Sequence, residues 1–350
     1  MTDIFAPLPR DEVIKAIERR NPIRIPLVRA HWWGEGLAEQ YGEQLKAFDR
    51  YPEDAAFLWI NHSNYAEWGL PWEICSGGAF DARSVIDDWS KLDDFIAHLP
   101  DAESDPRFEG LRPLAEQAHR ENRYLLFAFW RLFFERPWEL RGMQNLLMDF
   151  YTHPEQIHRL YDALCEMYCA YLQRAIRELQ PDGFWTSDDL GHQRQLFMSP
   201  DTFRAFLKPY YARIGDLLHR NRLHWWLHSC GNNTAILGDL IDVGVNVFHP
   251  VQKGTMDWTA VSNVYGARLS FLVGFDVQHA LVEASTAEVR REVHSLIDTF
   301  DHPEGGMCIA AGNGIVAGTP LENIEAFLQE SVLYGAHHRR PYALPPTKGT

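Results

Sequence analysis

Cysteine is scarce in this chain, with 5 among 350 residues. That is too few for a disulfide framework at this size, so a reducing cytoplasm is the expected setting. Positive charge is also short. Lys and Arg number 33 against 48 Asp and Glu, a formal net charge of -15. The deficit argues against nucleic acid and anionic membranes as partners, though it leaves room for a locally basic pocket. No apolar run approaches the ~20 residues of a transmembrane helix. Met1-Thr2-Asp3-Ile4-Phe5 lacks the basic start and apolar core of a signal peptide. Internal repeats, low-complexity segments and linkers are missing as well. What the chain has in excess is tryptophan, 12 in all, grouped at Trp32-Trp33, Trp68, Trp72, Trp130 and Trp225-Trp226. Such grouping suggests an aromatic-lined cavity.

Short apolar runs alternate with long amphipathic segments, the pattern of repeated βα units. Strands are expected at Ile25–Ala30, Phe57–Asn61, Tyr124–Trp130, Gly183–Ser187, Leu223–His228, Val245–His249, Leu269–Phe275 and Met307–Ala311. Helices are expected at Glu35–Asp49, Gly110–Glu121, Trp138–Phe150, Pro154–Leu179, Pro200–Asn221, Thr234–Val243, Thr286–Phe300 and Thr319–Tyr334. Eight strands, each followed by helix, point to an α/β fold of the (β/α)8 TIM-barrel type. The Tyr65–Ser104 and Phe133–Thr152 stretches then read as N-terminal helical insertions over the barrel mouth. Residues 1–340 form one domain on this reading. The Pro-rich tail after Gly335, and residues 341–350 above all, is expected to be loosely ordered.

Active sites of such barrels lie at the C-terminal ends of the strands. The residues at those ends are Arg29, His31, His62, Asp188, Asp189, His228, Cys230, His249, Asp276 and Asn313. Leu223 to Asn233 is the most telling stretch. Its apolar run ends in His228-Ser229-Cys230-Gly231, and residues two apart on a strand face the same way. His228 and Cys230 can therefore aim an imidazole and a thiolate at one point, donors that suit a soft divalent ion such as zinc. Packing of both residues in the core is the alternative.

Four segments resemble the uroporphyrinogen decarboxylase superfamily, especially its decarboxylase-like and corrinoid methyltransferase branches. They are Ser187-Asp188-Asp189-Leu190-Gly191-His192-Gln193 with Ser199-Pro200; His228-Ser229-Cys230-Gly231 with Gly244 to Gln252; Gly274-Phe275-Asp276-Val277-Gln278; and Ala310 to Ile315 before Thr319-Pro320. The resemblance spans roughly residues 140 to 335 and implies a TIM barrel. Methyltransferase members bind zinc through a His-x-Cys pair and a later Cys, and exchange the methyl group with a corrinoid protein. His228 and Cys230 match the pair, whereas Asn313 stands where the later Cys would be. Cys308 does not replace it, because five residues at about 3.3 Å each place it roughly 16 Å further down the strand. His249 is the candidate third metal ligand, since neighbouring barrel strands are about 5 Å apart; capping of a local turn is its other reading. Asp276 is a further ligand or the group that orients one.

The function implied is zinc-assisted methyl transfer or demethylation on a small, partly apolar or aromatic molecule. Asp188, Asp189 and Asp276 are the candidate catalytic carboxylates, and one of Asp188 and Asp189 is expected to cap a helix or turn instead. Arg29, His31, Trp32, His62, His192, Gln193 and Asn313 are the candidate substrate-binding residues. The partners implied are a small substrate, a corrinoid protein and a second copy of the chain in a homodimer. A metal-independent decarboxylase or lyase, with Arg29 or Arg194 holding a carboxylate, is the second reading. Uroporphyrinogen itself fits poorly, because one Arg in Arg29-Ala30-His31-Trp32-Trp33 cannot neutralise eight carboxylates. A non-catalytic ligand-binding barrel is the third.

Overall fold

The strands form where the short apolar runs lie. The computed structural model describes residues 3–29, 33–60 and 84–339, and seven strands form among the described residues. They are β1 (Ala55–Trp59), β2 (Tyr124–Phe129), β3 (Gly183–Ser187), β4 (His224–His228), β5 (Val247–His249), β6 (Ser270–Phe275) and β7 (Met307–Ala311). Every residue of β2, β3, β5, β6 and β7 is buried, as parallel strands covered on both faces require. The intervening helices bury one stripe each. In Pro154–Glu178 the stripe is Ile157, Leu160, Tyr161, Leu164, Tyr168, Tyr171, Leu172 and Ala175, at the three- and four-residue spacing of a helix face. Thr286–Phe300 starts at a capping box of Ser285 and Glu288. This alternation of parallel strand and helix is a TIM-barrel-like α/β fold.

By contact the chain divides into two compact units. The first comprises Met1–Ala56, Ala118–Leu125 and Asn246–Thr350; the second comprises Phe57–Gln117 and Leu126–Val245. In the first unit β5, β6 and β7 pair in parallel, with Val247 opposite Ser270 and Phe271 opposite Met307. The strand expected at Ile25–Ala30 is reduced there to one bridge, Leu27 to Ile309. Pro26 has no N–H to lengthen the ladder, and the Leu27 N–H is taken by Asp54 Oδ2 at 2.7 Å. The last helix, Leu321–Arg339, continues past Gly335, contrary to the loose tail expected from that residue onward. Arg339 is buried and donates to Asp301 and to the His302 carbonyl, which fastens the final turn.

In the second unit β2, β3 and β4 pair in parallel. Ala128, Trp185 and Trp226 align across them, and Ser187 stands beside His228. The single helix expected at Trp138–Phe150 is two helices, Glu135–Arg141 and Met143–Thr152, separated by Gly142 at φ 78°. The one expected at Pro200–Asn221 contains a π turn at Phe203–Leu207, where the Lys208 N–H reaches back to the Phe203 carbonyl. Pro209, lacking an N–H, accounts for the widened turn. Among the described residues no helix is long and apolar enough to cross a membrane.

Candidate metal centre

β4 delivers His228 to its C-terminal end, and the alternation of the strand does the rest. Ser229 points away. Its hydroxyl accepts the Leu190 N–H at 3.0 Å and donates to Asn233 Oδ1 at 3.1 Å. His228 and Cys230 therefore converge, with Nε2 and Sγ 3.4 Å apart. Asn233 holds the turn by donating to the carbonyls of Ser229 and Cys230. Gly231, at φ 78°, is pressed against the loop that follows β3. A Cβ there would lie 2.3 Å from the Gly191 carbonyl carbon and oxygen, so only glycine fits. The Asn232 N–H donates to the His192 carbonyl at 2.9 Å and joins the two loops.

That contact brings in Asp189. Its Oδ1 accepts the Cys230 N–H at 2.8 Å and lies 3.6 Å from His228 Nε2. One donor atom from each of Asp189, His228 and Cys230 lies within 4.8 Å of the others. Four ligands about 2.0–2.3 Å from a tetrahedral zinc stand roughly 3.3–3.8 Å from one another. The nitrogen–sulfur and nitrogen–oxygen separations fall in that range, so the donor set fits zinc with one position open. Burial lowers the pKa of His228, against the opposing pull of Asp189, which keeps the imidazole neutral as a ligand must be.

Asp188, next along the chain, faces the other way and is fully buried. Its oxygens accept the N–H groups of Phe133, Phe134 and Glu135 at 2.8–3.0 Å and the Tyr211 hydroxyl at 2.6 Å. It thereby anchors the entry to the helix Glu135–Arg141. Burial pushes its carboxyl up to about 6, while these donors pull it down. Glu135 was not singled out from the sequence, though a lone carboxyl in Phe133-Phe134-Glu135 was a visible anomaly. It is buried, accepts the Ser187 hydroxyl, and is pushed well above the usual carboxylate range by burial and by Asp189 and Asp188.

His192 is partly buried beside Phe197, and Gln193 is exposed. Arg29, His249, Asp276 and Asn313 belong to the first unit. Arg29 donates from Nη1 to the Phe48 carbonyl at 2.8 Å. His249 is buried, with Nε2 3.0 Å from the Ala311 carbonyl oxygen, a contact that nitrogen can make only as a donor. The Asp276 carboxylate accepts the N–H groups of Gln278, His279 and Ala280 and so caps a short turn. Asn313 is exposed, and its side-chain oxygen accepts the Gly314 N–H. Cys308 is buried in β7, with burial raising its thiol well above the ordinary value. His31, Trp32 and His62 lie outside the described residues.

The chain is similar over much of its length to known proteins. A uroporphyrinogen decarboxylase from Alcanivorax borkumensis is 23% identical, the match covering 94% of this chain and 98% of that one. The methylcobamide:CoM methyltransferase MtaA of Methanosarcina barkeri is 30% identical over 37% of this chain and 36% of its own. A methylated-thiol–coenzyme M methyltransferase from Methanosarcina mazei is 23% identical over 54% and 48%. Among solved structures, a methyltransferase from Methanosarcina mazei shares the fold with a TM-score of 0.65, covering 92% of this chain and 97% of that one at 15% identity. The model for uroporphyrinogen decarboxylase (URO-D) matches residues 138–331, more than half the chain, and the protein belongs to that family of decarboxylases and methyltransferases.

Proposed function

We propose that the chain is a zinc-dependent methyltransferase or demethylase acting on a small, partly apolar or aromatic molecule. The observation that carries this reading is the convergence of Asp189, His228 and Cys230: His228 Nε2 lies 3.4 Å from Cys230 Sγ and 3.6 Å from Asp189 Oδ1, and one donor atom from each residue lies within 4.8 Å of the others. Asp189 supplies the third ligand in a chain that has Asn313 in place of the later Cys of its methyltransferase kin. Zinc held there would lower the pKa of a bound thiol or hydroxyl and so provide a nucleophile at neutral pH. His228 serves as a neutral ligand because burial opposes its protonation. Asp189 also fixes the turn through the Cys230 N–H. Glu135, whose carboxyl burial pushes well above the usual range, accepts the Ser187 hydroxyl at the end of β3. By analogy with the methylcobamide enzyme, a corrinoid protein carries the methyl group. The cytoplasm is the setting, and a homodimer the assembly.

The test is methyl transfer from methylcobalamin to a panel of thiols, and from a panel of methyl ethers to cob(I)alamin. The wild type should turn over at least one pair, whereas His228→Ala and Cys230→Ala should not. Activity that survives both substitutions overturns the assignment. A second reading, a metal-independent decarboxylase, draws on the match to the Alcanivorax borkumensis enzyme across 98% of that enzyme's length. It predicts carbon dioxide release that chelators leave untouched, and an assay with and without chelator separates the two.

A further inference from the structure

A second pair of sulfurs lies on the helix Pro154–Glu178. Cys165 and Cys169 are four residues apart within it, so their side chains are neighbours on one face. Cys165 is fully buried and Cys169 partly so. The two thiols are hydrogen-bonded to each other, and the Tyr210 carbonyl oxygen lies 3.8 Å from the Cys165 sulfur. A disulfide matches this pair poorly. Residues four apart on a helix hold their Cβ atoms about 5–6 Å from one another, whereas an S–S bond needs about 3.5–4.5 Å. An atom set between the two sulfurs spans a gap that a direct bond does not.

The surroundings favour negative charge on sulfur. The hydrogen bond from Cys165 lowers the Cys169 thiol; burial opposes this, and the guanidinium groups of Arg213 and Arg220 assist it against Glu166. Both arginines belong to the helix Lys208–Arg220, where Arg213 also pairs with Asp162 at 2.7 Å. The donor set is sulfur alone. Among the described residues, only Asp189, His228 and Cys230 bring three or more His, Cys, Asp or Glu donors together, so the helix pair has no third ligand of those types. Zinc, which takes four ligands, is left short. Cu(I), a soft ion that thiolates select, is satisfied by two.

We propose that Cys165 and Cys169 form a second metal site, in which two thiolates clamp one Cu(I) ion. Binding changes no oxidation state. Two copper–sulfur bonds form, and the two thiol protons leave for solvent. The product is a singly negative bis-thiolate complex, whose charge Arg213 and Arg220 offset. The ion enters past Cys169, the partly exposed member of the pair. The site shares no residue with the zinc centre and depends on neither that centre nor the methyl-transfer reading.

Anaerobic competition between the full chain and the Cu(I) complex of bicinchoninate tests this, with Cys230→Ala as the background so that the zinc ligands take up no copper. That background should hold about one equivalent of Cu(I) against the chelator. Adding either Cys165→Ala or Cys169→Ser should remove it. Should the variant at the buried position fail to fold, Cys169→Ser at the partly exposed one still decides. X-ray absorption at the copper edge should show two sulfur neighbours, and excess zinc should leave the copper in place. No copper held against the chelator, an unchanged equivalent in Cys169→Ser, a nitrogen or oxygen neighbour at the copper, or displacement by zinc would each overturn the proposal.

Discussion

Two adjacent carboxylates, Asp188 and Asp189, should respond to the same substitution in opposite ways. Asp188→Ala orphans four donors: the N–H groups of Phe133, Phe134 and Glu135 and the Tyr211 hydroxyl. At roughly 2 kcal/mol for each unsatisfied buried donor, the loss is about 8 kcal/mol. Against that, the variant no longer buries a charge. A carboxyl lifted from 3.8 to about 6 represents about 3 kcal/mol of relief at ~1.4 kcal/mol per pH unit. The net expectation is a destabilisation of about 5 kcal/mol. With an unfolding entropy of ~2.1 cal/mol/K per residue, a chain of 350 residues should lose roughly 7 °C in Tm.

Asp189→Ala loses one acceptor, on the Cys230 N–H, from a partly exposed loop. Its Tm should move by no more than ~1–2 °C, while zinc binding is lost. Differential scanning calorimetry of the apo-proteins reads both. The pH dependence gives a further check on Asp188. Its folded pKa is raised, so its protonation stabilises the fold below the unfolded value of 3.8, and that contribution disappears as pH rises through about 6. The deficit of Asp188→Ala should therefore be larger at pH 5 than at pH 8, by about 1 kcal/mol. A deficit that grows with pH, or equal Tm losses in the two variants, would refute the division of labour between the pair.

Other consequences concern the turn and the thiols. Gly231→Ala places a Cβ 2.3 Å from the Gly191 backbone at φ 78°, so the two loops must part. Zinc affinity, measured by competition with a chromogenic chelator, should fall about tenfold or more; unchanged affinity would show that the loop contact is not needed. In metal-free native protein a thiol reagent should modify Cys230, which is partly exposed, and zinc should protect it. Cys308, buried in β7, should remain unmodified in both states. Rapid labelling of Cys308, or labelling of Cys230 that zinc does not slow, would contradict these placements.

Much of this was legible in the residues, for definite physical reasons. A run buried on both faces tends to be apolar along its whole length, so β7 begins and ends where the apolar residues do. The period of two in a strand placed the His228 imidazole and Cys230 thiol together, and they lie 3.4 Å apart. The same alternation says that Asp188 and Asp189 face opposite ways, but not which one faces the donors. That depends on the Phe133–Glu135 backbone, 54 residues away in the chain for Phe134, and on the backbone contact of Gly191 with Gly231. Long-range contacts of this kind leave no local pattern. Pro26 was visible, yet its effect appears only beside β7, where the missing N–H ends the ladder at a single bridge. The helix boundaries failed at Gly142 and Pro209, residues that a helical apolar pattern tolerates and the backbone does not.

Asp189, His228 and Cys230 are proposed to hold one zinc ion together. Inductively coupled plasma mass spectrometry tests it most directly, on protein purified without added metal and again after zinc loading and desalting. The wild type should carry about one equivalent, and Asp189→Ala, His228→Ala and Cys230→Ala should each carry only a small fraction of that. Equal zinc in all four proteins, or none in the wild type even after loading, would contradict the account.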